Sequence, residues 1–215
     1  TIEAGQGFRS GETSLPENAA AMIGRIGPVF EVAAVSKVSG SVFRNDLIDD
    51  GRTKGVTIFA ADLNLLAAQR GDLSSGTYLT RATSEFPMVV LGAVAAERIG
   101  ISELTNEQQL WLGGEWFTVI GVLNPLPLAA DLDIGAIIGY GAAQEFLGHD
   151  GDADVIYVRA YPEHIQDVRS VMAATVNPEN PDEVLVSRTS DVLEARVAAR
   201  SALTNLFLGL GAVAL

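Results

Sequence analysis

The sequence predicts an α+β fold, on three observations. A Val-rich stretch over residues 29–43 alternates in part, at Val32, Val35, Val38 and Val42, as an extended ribbon does. Two strand-like runs, 108–112 and 115–123, flank Gly113-Gly114, a pair that supplies the positive φ angles of a two-residue hairpin turn. Near the end, a strand over 155–159, a helix opened by Pro162-Glu163 and reaching about Val176, and a short strand over 184–186 make a β-α-β unit.

The remaining elements follow in chain order. Residues 1–12 are Gly-rich and polar without a period and read as a tether. Ser14-Leu15-Pro16-Glu17 offers an N-cap, with Pro and an acid in the first turn, for a helix to about Ile26; Gly27-Pro28 ends it. After a turn at Asp49-Asp50-Gly51 a strand covers 55–60, then Asp62 caps a short helix over 63–70 that Gly71 closes. A buried strand over 87–91 turns at Gly92 into a helix over 93–99 closed by Gly100. Pro125 and Pro127 then interrupt regular structure, and a strand over 134–138 leads into a helix over 142–147. Asp191 and Glu194 form a capping box for a last helix, with Arg196 and Arg200 on its first turns.

That helix runs into an apolar tail, 202–215, without a charge. At about 1.5 Å per helical residue the tail covers about 21 Å, short of the ~30 Å hydrocarbon core of a bilayer. One alternative is a core helix. Yet residues 206–215 keep no polar stripe, and Gly209, Gly211, Ala212 and Ala214 are the small residues by which membrane helices pack closely. The expectation is therefore a membrane helix cut partway. Thr1 is not an initiator Met and no signal peptide precedes Glu3, so the chain reads as a piece excised from a membrane protein.

Composition narrows function. A net charge of −13 opposes a nucleic-acid footprint and adhesion to an anionic membrane surface. With no Cys there are no disulfides, zinc-thiolate sites or thiol catalysis. The two histidines, His149 and His164, lie in or beside expected loops without a nucleophile motif and read as surface residues. Asp150-Gly151-Asp152-Ala153-Asp154 begins like a calcium loop, but Val155 stands at its sixth position and Tyr161 at its twelfth, so it reads as a solvated loop. Gly135-Ala136-Ile137-Ile138-Gly139-Tyr140-Gly141 lacks the G-x-G-x-x-G spacing of a dinucleotide site, and no Gly-Lys-Ser/Thr phosphate loop occurs. No residue is assigned a catalytic, cofactor-binding or metal-ligating role. Trp111 and Trp116 flank the Gly-Gly turn, either as an exposed aromatic patch for a partner or with at least one ring packed on the adjoining sheet.

The run Val89-Val90-Leu91-Gly92, the short helix to Ile99-Gly100 and above all the hairpin Leu110-Trp111-Leu112-Gly113-Gly114-Glu115-Trp116-Phe117-Thr118-Val119-Ile120-Gly121-Val122-Leu123 resemble the extracytoplasmic domain of MacB-type ABC transporter permeases. Ala142-Ala143-Gln144-Glu145-Phe146-Leu147-Gly148 and Ile156-Tyr157-Val158-Arg159 continue the resemblance in order. Thr105-Asn106-Glu107-Gln108 stands where that family often has Pro-x-Gly-Gln, and Gly76-Thr77 where it often has Gly-Arg, which leaves subfamily and cargo open.

The resemblance implies a MacB-like α+β fold of two subdomains. Residues 1–27 would be a tether and helix after a first membrane helix. A porter-like subdomain would comprise 28–86 and 153–189, with 87–152 as an inserted, mainly β subdomain. Residues 190–215 would be a stalk helix entering a second, truncated membrane helix. The implied function is non-catalytic: a separate ABC ATPase domain or subunit drives a permease dimer, and the membrane helices carry that motion to this domain, which acts on exported cargo or on an extracytoplasmic partner protein. A second reading is an FtsX-like regulatory ectodomain that recruits or activates a cell-wall hydrolase. A third is a free-standing soluble module whose last helix docks internally. No cofactor and no nucleic acid enters any of these readings.

Overall fold

The computed structural model of the chain describes residues 2–4, 15–16, 18–47, 55–101, 104 and 108–187. The expected turn at Asp49-Asp50-Gly51, the capping box at Asp191 and Glu194, the stalk and the apolar tail 202–215 lie outside them.

The chain runs β1 (Ile2–Ala4), α1 (Ala19–Ile23), β2 (Val29–Val38), β3 (Val42–Phe43), β4 (Thr57–Ala61), α2 (Leu65–Gln69), β5 (Leu73–Gly76), β6 (Met88–Leu91), α3 (Ala93–Ile99), β7 (Gln109–Leu112), β8 (Glu115–Leu123), α4 (Ala130–Asp133), β9 (Gly135–Gly139), α5 (Tyr140–Leu147), β10 (Val155–Ala160), α6 (Ile165–Val176) and β11 (Val184–Val186). All the strands join one mixed sheet, ordered β11-β1-β10-β2-β4-β9-β6-β8-β7-β3, with β5 on β8 off that path. The fold is α+β, as expected.

Period-two alternation decides which side chains meet. On β4, Ile58 and Ala60 enter one cluster while Phe59 and Ala61 enter another; β6 divides likewise, with Val89 and Leu91 against Val90. The first face carries α3 and α5 over Leu110, Leu112 and Phe117; the opposite face carries α2 and the turns around Leu126 and Leu132. A third cluster forms where α1 and α6 cover β2 and β10, through Ile23, Ile156, Val168 and Met172. Burying one such Leu, Ile or Phe side chain contributes about 1.5–3 kcal/mol. The strands of segment 87–152 join the rest through the parallel β4–β9 pair, while β3 and β5, from segment 28–86, pair with β7 and β8.

Several local expectations change. Within the stretch read as a tether, Ile2–Ala4 is a strand, antiparallel to both β10 and β11. The β-α-β unit is therefore split, its two parallel strands standing on either side of β1. The first helix covers only Ala19–Ile23, and the ribbon breaks between Val38 and Val42. Asp62 does not cap α2 with its side chain: Oδ2 accepts the Ala34 backbone N–H at 2.8 Å, tying the turn to β2. The left-handed C-cap falls on Arg70 (φ 51°), one residue before the expected Gly71. Strand β5 and the four-residue α4 had no expected counterpart.

Burial raises the pKa of Asp62 above the usual carboxylate value, and the Ala34 hydrogen bond offsets part of the rise. An acid raised by folding contributes stability that is present below its unfolded pKa and lost as pH rises through the folded one. Asp62→Asn retains an acceptor for Ala34 and removes the desolvated charge. It should raise Tm by roughly 2 °C near neutral pH, with the gain shrinking as pH falls toward 4. Thermal unfolding across pH 4–8 checks this; a constant difference over that range would refute the assignment.

Candidate functional site

Strands β1 and β11 place both ends of the described fold together. Ile2 stands opposite Val186, and Ala4 opposite Val184, so the chain enters on one strand and leaves on its antiparallel neighbour at the same end. Neighbouring strands lie about 4.8 Å apart, so whatever is attached before Ile2 and after Val186 acts on two adjoining strands.

A polar seam lies on the sheet face that carries α1, α3, α5 and α6. Tyr140, the first residue of α5, packs against both apolar clusters of that face. Beside it Ser36, only 3% exposed, donates its hydroxyl to Asp154 Oδ2 at 3.1 Å, and the Lys37 N–H donates to the same oxygen at 2.6 Å. His149 Nε2 lies 2.9 Å from Ser36 Oγ, while the Gly151 N–H donates to Nδ1 at 2.9 Å. The His149 ring meets Tyr140 edge-on at 5.9 Å. Burial, and then the charges of Asp62, Asp154 and Asp152, push the Tyr140 phenol well above its usual pKa, so it is a neutral hydroxyl.

Serine, histidine and aspartate in contact invite comparison with a hydrolase triad, and the hydrogen-bond directions answer it. A nucleophilic triad needs the imidazole to accept the serine proton, with the carboxylate orienting the other ring nitrogen. Here Nδ1 already accepts from Gly151, so the neutral ring carries its proton on Nε2 and donates to Ser36, while the carboxylate binds the serine and not the histidine. The trio is a clasp joining the 148–154 turn to β2. His149 is thus a half-buried tie and not the expected surface residue, whereas His164 is exposed and lies 3.5 Å from Asp167. The Asp-rich run is anchored through Asp154, and no metal-holding group of three or more His or acidic side chains exists among the described residues.

Asp154→Ala strips the acceptor from Ser36 and from the Lys37 N–H. The expected cost is about 2 kcal/mol, with Asp154→Asn losing less than half of that. Urea denaturation of both variants measures it, and equal losses would contradict the clasp.

The hairpin has its expected shape, with φ of 56° at Gly113 and 103° at Gly114. Trp111 and Trp116 face each other in register, their rings 5.3 Å apart and near edge-on. Trp111 is half-buried and Trp116 is 37% exposed, so one ring packs and the other is offered to solvent. No helix among the described residues is long and apolar enough to cross a membrane.

Comparison with curated proteins finds no match. The sequence model of the family described as "MacB-like periplasmic core domain" matches residues 1–184. The chain belongs to that family. Among solved structures, this MacB-like domain is similar to the periplasmic region of MacB from Actinobacillus actinomycetemcomitans, with a TM-score of 0.69, 15% identity and 90% of each chain covered. It is also similar to the extracellular domain of the noncanonic ABC-type transporter YknZ from Gram-positive bacteria, with a TM-score of 0.67, 15% identity, and 87% of this chain and 98% of that one covered. Identities this low carry the fold and nothing finer. The MacB-like domain is an extracytoplasmic domain of an ABC transporter permease.

Proposed function

We propose that this domain relays ATPase-driven motion across the membrane to an export substrate, with catalysis left to a separate nucleotide-binding domain or subunit. The observation that carries the reading is the pairing of β1 with β11: two membrane helices attached at Ile2 and beyond Val186 would grip two neighbouring strands as one handle. Motion of that handle passes to β10 and β2 through continuous backbone pairing. In the same reading the parts 28–86 with 153–189, and 87–152, are two subdomains, and the Ser36–His149–Asp154 clasp ties the two together.

The chain lacks Cys, so a single fluorophore can be placed at Glu115→Cys on the exposed hairpin of the full permease, reconstituted with its ATPase. ATP should change the fluorophore's signal. Ile2→Pro, which removes an N–H from the strand between β10 and β11, should abolish the change while ATP hydrolysis continues. A signal indifferent to ATP would end the relay reading. If the domain instead captures a cell-wall hydrolase and the permease exports nothing, the FtsX-like regulatory role replaces it.

A further inference from the structure

Strand β1 reaches only Val155 and Ile156 of β10, so further along, at Val158–Ala160 among the described residues, that edge of β10 has no neighbour. An open groove of about 260 Å³ occupies the space between this edge, α6 and the end of β11. Its floor is apolar, formed by Val158, Val168 and Met172, whereas three arginines, Arg70, Arg159 and Arg169, line it. They come from separate elements and gather in a chain whose net charge is −13.

Two of the three guanidiniums bind backbone carbonyls, and Glu31 stands opposite Arg159 in register without reaching ion-pair distance. Arg159 donates to the Ala67 carbonyl at 3.0 Å and lies 4.9 Å from the centre of the Phe30 ring, itself 43% exposed. Arg169 donates to the Val186 carbonyl at 3.4 Å. Arg70 occupies a left-handed conformation (φ 51°), which is strained for a residue bearing a Cβ and where Gly is the usual choice. Among the described residues no carboxylate forms an ion pair with any of the three, and the nearby Asp167 meets His164.

We propose that this groove binds an amphipathic anion, a phosphate or carboxylate head on an apolar tail. The guanidiniums supply planar, charge-assisted donors for the head. The Val and Met floor takes the first methylenes, and the Phe30 face flanks them. The groove is just below the ~300 Å³ at which small-molecule sites begin, which suits a head and a short length of chain with the rest of the ligand outside. Binding at this site does not depend on the relay described above, because it is measured on the chain without its ATPase.

Isothermal titration of residues 1–215 with octyl phosphate, kept below its critical micelle concentration, tests the proposal. Saturable one-to-one binding is expected, weakened on the order of tenfold by Arg159→Gln or by Arg169→Gln. Arg70→Gly is the informative variant: it relieves the left-handed strain, so Tm should hold or rise while affinity falls. Three outcomes would each overturn the proposal. One is octyl phosphate affinity unchanged in the Arg159→Gln/Arg169→Gln double variant with its Tm intact. Another is inorganic phosphate binding as tightly as octyl phosphate, which would mean a simple anion site. The last is sedimentation with phosphatidylglycerol vesicles without any binding of the monomeric amphiphile, which would mean a bilayer contact.

Discussion

Phe117→Ala should lower the unfolding free energy by about 4 kcal/mol, which for a domain of this size means a Tm lower by roughly 8–16 °C. Phe117 is fully buried on β8, opposite Leu110 of β7, and its ring meets Phe146 of α5 edge-on at 6.2 Å and 79°. Truncation removes the transfer energy of the ring, leaves a cavity under α5, and loses an aromatic pair that contributes about 1 kcal/mol beyond its area. The neighbouring Trp116→Ala is the control, because that side chain points to the other face and is 37% exposed. Its cost should stay below about 1 kcal/mol beyond the loss of the Trp111 contact. Equal losses in thermal denaturation would mean that the hairpin pleat is inverted.

Gly139→Ala should cost about 3 kcal/mol for the addition of one methyl group. Gly139 ends β9 with extended backbone (φ −75°, ψ 154°), so no unusual dihedral demands glycine there. Space does. A Cβ would overlap the Ser84 carbonyl oxygen and lie 2.6 Å from Ser84 Cα. That backbone cannot withdraw easily, because the turn holding Ser84 is fixed by the Thr80 N–H donating to Thr83 Oγ1 at 2.7 Å and the Thr83 N–H donating to Thr80 Oγ1 at 3.2 Å. Gly27→Ala gives the contrast, since nothing lies within 4 Å of the added methyl, and its effect should stay within about 0.5 kcal/mol. Comparable denaturation midpoints for the two variants would refute the close approach of α5's first turn to Ser84.

These buried contacts were partly legible beforehand, and the dividing line is physical. Gly92, Gly100 and the Gly113-Gly114 pair stand where the reading placed them, because turn chemistry is written within a few residues. The ordered segments around Val89–Leu123 carried the family resemblance and with it the fold. What escaped depends on distant partners. Nothing local marks Ile2–Ala4 as a strand, since its neighbours arrive more than 150 residues later. Asp62 has the sequence of a helix cap but satisfies Ala34 on another strand. Gly71 sat where a cap was expected, yet the left-handed residue is Arg70, and a Cβ at Gly71 would lie 2.5 Å from Leu126 Cδ2. His149 gave no sign of Ser36, 113 residues away. The arginine groove had no sequence signal at all, because Arg70 at the end of α2 lines the same groove as Arg159 and Arg169 only in the folded chain.

The position of β1 also sets an order of events. Its three residues precede every other described strand in the chain, yet their partners are β10 and β11, the last two of the described strands. Bridging that separation carries the loop-closure entropy of nearly the whole domain, so this pairing is a late, slow step. Until Val184–Val186 emerges, β1 has only β10 beside it and its own outer edge is open to wrong partners. Among the described strands the sheet is completed only when β11 arrives, which makes it a checkpoint for assembly: a chain halted before Val184 leaves β1 as an uncovered edge.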